Sequence, residues 1–216
     1  MNLPIVPKGT VYRDGDEKLR LESRNGIIQV ESVLYQAANW NRATRLTPDV
    51  VRKLQELAVN QIYRCAGYFR DGDVRIDGVK HQPPPPNDVP GFVQQMCDYV
   101  HDNWNQTPVH LASYLIWRIN WIHPFFGGNG RTARAVSYLI LCAKLGFALP
   151  GTKTIPELIV ESRKRYIDAL QTADAAWDEG RLAILPMEDL MAELLAEQLV
   201  AIHEKATGRP AEFKKD

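Results

Sequence analysis

Apolar residues recur along most of the chain at the three- and four-residue spacing of an α-helix. This pattern predicts a first helix through residues 27–37, which share one apolar face. A second helix is predicted over residues 47–62, where Thr47, Pro48 and Asp49 are typical of a helix start. Further helices are predicted at about residues 88–105, 107–122, 129–145, 156–174 and 186–206. Thr107 marks the start of the second of these helices and Gly146 the end of the third. The charged ends, residues 1–19 and 208–216, are expected to be loosely held.

One stretch, residues 68–82, departs from the helical pattern. The β-forming residues Val74, Ile76 and Val79 occur there beside the Asp-Gly turn signals at residues 71–72 and 77–78. The stretch predicts either a small exposed β-hairpin or an irregular surface loop, and it leads into an extended connector of four prolines at residues 83–86. The predicted fold class is therefore all-α, with one short β-hairpin ahead of the two central helices.

Composition and charge narrow the classes of function. The chain has 216 residues, with 26 Lys and Arg against 26 Asp and Glu. This balance argues against a protein built to coat nucleic acid or an anionic membrane, and no apolar run approaches the ~20 residues of a membrane span. The three cysteines show no disulfide or metal-ligand spacing, which predicts reduced, buried thiols. No secretion signal is visible, so we expect a cytoplasmic protein. From the balanced charge and the short apolar runs, we expect it to bind neither nucleic acid nor membrane.

Residues 123–134 combine the parts of a polyphosphate site within twelve positions. A helix is predicted to end at His123; three glycines follow, and the next helix would point its N–H groups and the positive end of its dipole at this loop. Arg131 and Arg134 lie three residues apart, so they share one helix face and can clamp phosphate oxygens. Asn129 can cap the second helix or adopt left-handed geometry. His123 suits a general base, because an ordinary histidine has a pKa near 6.5.

The segment resembles the signature of the Fic family: histidine-proline-phenylalanine, any residue, an acid, glycine-asparagine-glycine-arginine, and a second arginine three residues further on. The matching positions are His123, Pro124, Phe125, Gly128, Asn129, Gly130, Arg131 and Arg134. Residues 66–84 also resemble the entry to the family's flap hairpin, and residues 166–170 resemble a later helix of the family. The resemblance implies a Fic-type helical bundle. It places an N-terminal extension and first helix at residues 1–44, the Fic domain at 45–206 and a flexible tail at 207–216.

The resemblance implies an activity as well, that of a protein adenylyltransferase moving AMP from ATP onto a Ser, Thr or Tyr hydroxyl of a target protein. His123 would deprotonate the hydroxyl. The amides of residues 128–130, including Gly128 and Gly130, would hold the phosphates, and Asn129 would help to position the α-phosphate. Arg131 and Arg134 would bind the β- and γ-phosphates.

Gly127 departs from the family pattern, because it stands where the family has an acid that helps to hold Mg²⁺. Mg²⁺ as a cofactor is therefore in doubt, and no residue is assigned as a metal ligand. Three alternatives stay open: weak use of a metal held by phosphates and water, transfer of another phosphate-containing group, or a degenerate fold that binds nucleotide or docks a protein without transfer. For an enzyme, an acid at position 127 is expected to raise activity; for a binding module it should change little.

The resemblance implies protein partners. The hairpin at residues 73–82 would hold the target chain by strand addition. Many family members carry an inhibitory helix whose glutamate pairs with the second arginine of the motif. Neither end of this chain shows that helix's motif, since Ala175 stands where a hydroxyl residue should precede Glu179. Two restraints on activity are therefore expected as alternatives: a separate antitoxin-like inhibitor, or the weak metal site itself.

Overall fold

The computed structural model describes residues 9–76, 78–79, 81–149, 151 and 153–210. This part of the chain is helical, and no β-strand occurs in it. In chain order the helices are α1 (Gly15–Ala38), α2 (Pro48–Val59), α3 (Val89–Asp102), α4 (Pro108–Ile122), α5 (Asn129–Leu145), α6 (Ile155–Glu161), α7 (Arg163–Asp178) and α8 (Leu185–Thr207). A short 3-10 turn at Pro86–Asp88 precedes α3.

Helices α4 and α5 form the centre of the bundle. They pack against each other, α1 and α2 pack on α5, and α3, α7 and α8 pack on α4. The largest fully buried side chains include Trp117 on α4 and Phe125 in the loop between the two helices. Because both central helices are enclosed, the loop that joins them is held in place from several sides.

The predicted starts of two helices are confirmed. The Thr47 hydroxyl accepts a hydrogen bond of 3.4 Å from the Val50 amide at the start of α2. The Thr107 hydroxyl accepts one of 3.1 Å from the His110 amide at the start of α4. The predicted end of α5 is also confirmed, since Gly146 adopts the left-handed conformation that glycine tolerates best.

Two boundaries differ from the prediction. The first helix begins at Gly15, because the Asp14 side chain accepts a hydrogen bond of 2.8 Å from the Glu17 amide and caps it. The expectation of a loosely held end is therefore wrong from residue 15 onward. The helix predicted at residues 156–174 is two helices, since Ser162 leaves helical geometry at ψ 27° and ends α6 where α7 begins.

The β-hairpin predicted within residues 68–82 is not shown. Residues 73–76, 78–79 and 81–82 form no strand, although the Val79 amide donates a turn-like hydrogen bond of 3.5 Å to the Ile76 carbonyl. Residues 77 and 80 lie outside the described part of the chain. An isolated two-stranded hairpin is marginal without a third strand or a helix to cover it, so the described residues form an irregular surface loop.

The predicted state of the cysteines agrees with the structure. Cys65, Cys97 and Cys142 are buried and free, and burial raises the pKa of Cys97 to about 12. Among the described helices, none is long and apolar enough to cross a bilayer.

Candidate active site

His123 ends α4 in a left-handed conformation, with φ 48° and ψ 58°. Its amide donates a hydrogen bond of 2.9 Å to the Ile119 carbonyl, and Pro124 prevents the helix from continuing. A positive φ at a non-glycine residue costs on the order of 1–2 kcal/mol, so the neighbours of His123 must stabilise this geometry.

Arg70 supplies much of that stabilisation. Its side chain is almost fully buried, at 2% exposure, and its Nε donates a hydrogen bond of 2.8 Å to the His123 carbonyl. The guanidinium also donates to the carbonyls of Ile122, at 3.4 Å, and of Pro84. The Arg70 amide donates to the Pro124 carbonyl at 2.9 Å. One buried cation thus ties the end of α4 to the proline connector, a role that the sequence analysis did not assign.

The imidazole of His123 is kept neutral. Burial lowers the pKa of His123 to about 4, and electrostatic interactions with Arg70 and His81 act in the same direction, while the Asn120 carbonyl, as a hydrogen-bond acceptor, opposes them. The Nδ1 atom is buried and has no hydrogen-bond partner among the described residues. A neutral imidazole can accept a proton, which a general base requires.

The glycine loop is fixed by close contacts. Gly128 has φ +79°, and a Cβ atom there would lie 2.6 Å from Val59 Cγ1, so only glycine fits. The buried Gln55 side chain donates a hydrogen bond of 3.0 Å to the Gly127 carbonyl and accepts one of 2.6 Å from the Gly67 amide. The loop is therefore anchored to the end of α2 and to the segment that follows it.

Asn129 is engaged within the loop. Its Oδ1 accepts a hydrogen bond of 3.0 Å from the Phe125 amide, and its Nδ2 donates one of 2.8 Å to the Phe125 carbonyl. The expectation that Asn129 caps α5 is wrong, because Gly128 is the N-cap and Asn129 is the first helical residue. Its side chain closes a ring with the backbone of Phe125 and shapes the loop.

The start of α5 brings amides and arginines together. The Thr132 amide donates to the Gly128 carbonyl at 2.9 Å, so the amides of the three residues before Thr132 precede the first intrahelical bond. The Arg134 side chain reaches back over this turn, since a Cβ atom on Gly130 would lie 3.4 Å from Arg134 Nη1. Burial lowers the pKa of Arg134 below the usual arginine value, which still leaves the group charged at pH 7.

Arg131 is held by an acid on α1. Its Nη1 lies 3.4 Å from Glu22 Oε1 and donates a hydrogen bond of 3.2 Å to the Ala58 carbonyl. The sequence around Glu22 lacks the family's inhibitory motif, and the acid contacts the first motif arginine. Helical spacing along α1 places Glu22 on the face toward α5, but no sequence pattern marks it as a partner of Arg131.

The residues of the loop do not fit the metal ion that the resemblance implies. A Cβ atom on Gly127 would lie 2.6 Å from Tyr63 Cε2, so a carboxylate cannot be placed there unless the Tyr63 ring moves. Asp102 cannot substitute for an acid at position 127, because it lies at the far end of α5 from the loop. Its near neighbour Trp104 accepts a hydrogen bond through its carbonyl from Lys144, which is in the last turn of α5. No group of three or more His, Cys, Asp or Glu side chains in the described ranges is arranged to hold a metal.

Two cavities flank the loop of residues 73–82. One, of about 900 Å³, is bounded by Trp121, His81, Gln171, Asp174 and others. His81 Nε2 lies 2.7 Å from the Trp121 carbonyl, which joins this loop to the end of α4. Burial raises the pKa of Asp174, whose Oδ1 accepts a hydrogen bond of 2.8 Å from Trp117 Nε1. The other cavity, of about 750 Å³, follows residues 73–85.

All six site residues predicted from the sequence therefore lie along the loop and the first turns between α4 and α5. The fold adds four side chains that the sequence analysis did not assign to the site: Glu22, Gln55, Tyr63 and Arg70. Each comes from a segment distant in sequence, and only the stretch before Arg70 carried a signal, through its likeness to the family's flap entry.

Comparison with known proteins agrees with this geometry. The family described as Fic/DOC matches residues 45–141. A protein adenylyltransferase Fic of Drosophila willistoni is 34% identical over 112 residues, which are 50% of this chain and 20% of the relative. A probable protein adenylyltransferase of Aquifex aeolicus is 26% identical over 117 residues, 54% of this chain and 32% of that protein. The chain thus spans about a fifth to a third of the length of these curated relatives.

A solved structure shares the fold over nearly the whole chain. The Fic domain-containing signalling protein of Bacteroides thetaiotaomicron superposes with a TM-score of 0.73 at 24% identity, covering 93% of this chain and 78% of that chain. The motif at residues 123–134 lies within the stretch that the family model matches. Over residues 45–141, the chain is similar in sequence to the Fic/DOC family.

Proposed function

We propose that the chain transfers AMP from ATP onto a hydroxyl group of a target protein, with His123 as the general base. The observation that carries the proposal is a partly buried, neutral His123 next to a glycine loop, a helix N-terminus and two arginines. Relatives named as adenylyltransferases support the choice of donor. The proposed catalytic unit is the domain at residues 45–206, because α6, α7 and α8 pack onto the family-matched core.

The chemistry is an in-line displacement at the α-phosphorus. The target hydroxyl oxygen forms the new P–O bond while its proton passes to the neutral imidazole of His123. The bond from the α-phosphorus to the bridging oxygen breaks, and pyrophosphate leaves with the electron pair. Such a transfer depends mainly on positioning and on neutralisation of charge.

Positive charge and amides meet the phosphates. The amides at the start of α5 and the helix dipole favour an anion at Gly128–Gly130. Arg134, which reaches back over Gly130, and Arg131 stabilise the β- and γ-phosphates through paired hydrogen bonds. The imidazole of His123 lies at the other end of the same loop, so the α-phosphate is held between the base and the arginines.

The nucleoside and the target take the two cavities beside the loop of residues 73–82. The cavity of about 900 Å³ next to Trp121 suits the nucleoside, because an aromatic wall and the polar groups of Gln171 and Asp174 border it. The target chain lies along the loop of residues 73–82, whose described residues belong to no β-strand and leave backbone groups available to pair with an extended chain.

Two radiolabelled forms of ATP test the proposal. The purified chain is incubated with cell proteins and with ATP labelled at the α- or at the γ-phosphate, with Mg²⁺ and with EDTA. We expect a labelled band from α-labelled ATP only, lost in His123→Ala and retained in His203→Ala, which changes an exposed histidine on α8. Label from γ-labelled ATP alone would contradict AMP transfer and indicate transfer of a phosphate.

A second candidate function is nucleotide binding without transfer. The contact between Tyr63 and Gly127 favours it, since this loop lacks room for the family's acid. Saturable ATP binding in calorimetry, with no labelled band from either form of ATP, would support this candidate against the enzyme.

A further inference from the structure

The Tyr63 ring lies so close to Gly127 that no side chain fits at position 127 while the ring stays in place. An added Cβ atom would lie 2.6 Å from Tyr63 Cε2, 2.9 Å from Cζ and 3.2 Å from Cδ2. Real Cβ atoms do not approach other heavy atoms within 3.0 Å. The aromatic ring therefore fills the volume into which a side chain at position 127 would extend.

Tyr63 is held in this position by its backbone and its neighbours. Its amide donates a hydrogen bond of 3.2 Å to the Val59 carbonyl, and it forms an antiparallel bridge with Thr10. The ring is partly buried against the small apolar cluster of Ala58, Val59 and Ile62. Moving the ring would expose this cluster, so the space at position 127 is not readily regained.

The charges around the loop also oppose a divalent cation. Arg131 and Arg134 lie on the first turns of α5, and Arg70 lies beneath His123. The carboxylate found at Arg131, that of Glu22, is already paired with it at 3.4 Å. A cation here would meet positive groups and no carboxylate ligand from the loop, whereas Mg²⁺ normally takes one or two carboxylates besides phosphates and water.

We infer that Tyr63 and Gly127 form a complementary pair that closes the cation position of the loop, so that the site binds its nucleotide as the metal-free anion. The helix amides and the two motif arginines meet the charge that a metal would otherwise share. The inference rests on the proposed function in one respect, which is that the nucleotide phosphates lie at Gly128–Arg134.

Calorimetric titration of the wild-type chain with ATP tests the inference without measuring activity. We expect binding to be about tenfold or more weaker in excess Mg²⁺ than in EDTA, because Mg²⁺ converts free ATP into MgATP and so removes the form that the site binds. Binding that is equally tight or tighter with Mg²⁺ would overturn the inference and leave the proposed function standing. An absence of ATP binding in both conditions would overturn the proposed function itself, and the inference with it.

Variants of the pair provide the second arm. Gly127→Asp alone should lower the Tm, because its Cβ atom meets the Tyr63 ring, and should still bind ATP more weakly with Mg²⁺ than with EDTA. The double variant that combines Tyr63→Ala with Gly127→Asp should bind ATP at least about tenfold more tightly with Mg²⁺ than with EDTA. Tyr68→Ala combined with Gly127→Asp is the matched control, since Tyr68 is 43% exposed, and it should behave like Gly127→Asp alone.

The single variant also makes the inference falsifiable. If Gly127→Asp kept the wild-type Tm and bound ATP more tightly with Mg²⁺ than with EDTA, the Tyr63 ring would be free to move and the pair would not close the position. Circular dichroism of each variant separates loss of fold from loss of binding.

Discussion

The Arg70 guanidinium donates a hydrogen bond of 2.8 Å from Nε to the carbonyl oxygen of His123. This contact joins residues 53 positions apart in the chain and holds the proposed base in its left-handed conformation. The same side chain also binds the carbonyls of Ile122 and Pro84. Because each accepting carbonyl would otherwise be desolvated without a partner, Arg70 couples the stability of the fold to the geometry of the site.

Replacing Arg70 is therefore expected to destabilise the protein. Arg70→Met removes the buried donors and leaves their carbonyl partners unsatisfied, so the free energy of unfolding should fall by about 3–5 kcal/mol. Urea denaturation measures this change. Arg75→Met, at an exposed position of the neighbouring loop, should change the free energy of unfolding by less than about 0.5 kcal/mol. Equal effects of the two substitutions would rule out this role for Arg70.

The depressed pKa of His123 predicts how stability depends on pH. In the unfolded chain a histidine takes up its proton near pH 6.5, whereas in the folded protein His123 does so only at about 4. The unfolded state therefore binds more protons between these values, and the stability that the neutral ring contributes above pH 6.5 is lost as the pH falls to about 4. His123→Gln, which cannot titrate, should lack this part of the loss.

Denaturation of the wild type, His123→Gln and His203→Gln at several pH values measures that difference. Between neutral pH and about pH 4, the free energy of unfolding should fall by less in His123→Gln than in the wild type. We expect the two decreases to differ by on the order of 2 kcal/mol. His203 is exposed on α8, so His203→Gln should follow the wild-type curve. Identical curves for all three proteins would show that His123 titrates normally.

The same pKa predicts the pH profile of the proposed transfer. The rate follows the neutral fraction of the base, so kcat/KM should stay level from pH 8 down to about pH 5 and fall only near the His123 pKa of about 4. An unperturbed histidine would already reach half of the maximal rate near pH 6.5. Initial-rate measurements over this range distinguish the two profiles.

The contact between Glu22 and Arg131 predicts a restraint on nucleotide binding. Glu22→Gln removes a carboxylate that lies 3.4 Å from the arginine, so the arginine becomes available to phosphate and a repulsive charge is lost. A partly exposed ion pair of this kind is worth about 0.2–1 kcal/mol, so the Kd for ATP should fall by up to about fivefold.

Glu31→Gln is the matched control for this prediction. Glu31 is exposed on the same helix and borders the same groove between α1 and α5. Calorimetry of both variants should show tighter binding in Glu22→Gln only. An equal gain in Glu31→Gln would assign the effect to net charge, and no gain in either would show that the ion pair does not limit binding.

The side chain of Asn129 is predicted to act on the loop. Asn129→Ala removes both hydrogen bonds to the Phe125 backbone, and the free energy of unfolding should fall by about 1–3 kcal/mol. Asn87→Ala, at an exposed position in the 3-10 turn, should have little effect in the same urea titration. If Asn129→Ala kept wild-type stability but lost ATP affinity, a direct role at the phosphates would replace the structural one.

Local rules were sufficient for much of this protein. Helix periodicity and the caps at Thr47, Thr107 and Gly146 predicted most helices, because these signals depend on residues only a few positions apart. The motif at residues 123–134 likewise indicated the proposed phosphate site and the proposed base, since its parts are contiguous in sequence.

Only the tertiary structure decided which distant segments come into contact. The pKa of His123 depends on burial and on Arg70, and the space at Gly127 is taken by Tyr63, 64 positions away in the printed sequence. Glu22 reaches Arg131 only because α1 packs on α5. The sequence by itself determined which groups are available at the loop, while packing decided which of them are neutral, paired or excluded, because desolvation and steric contact depend on neighbours that no local pattern encodes.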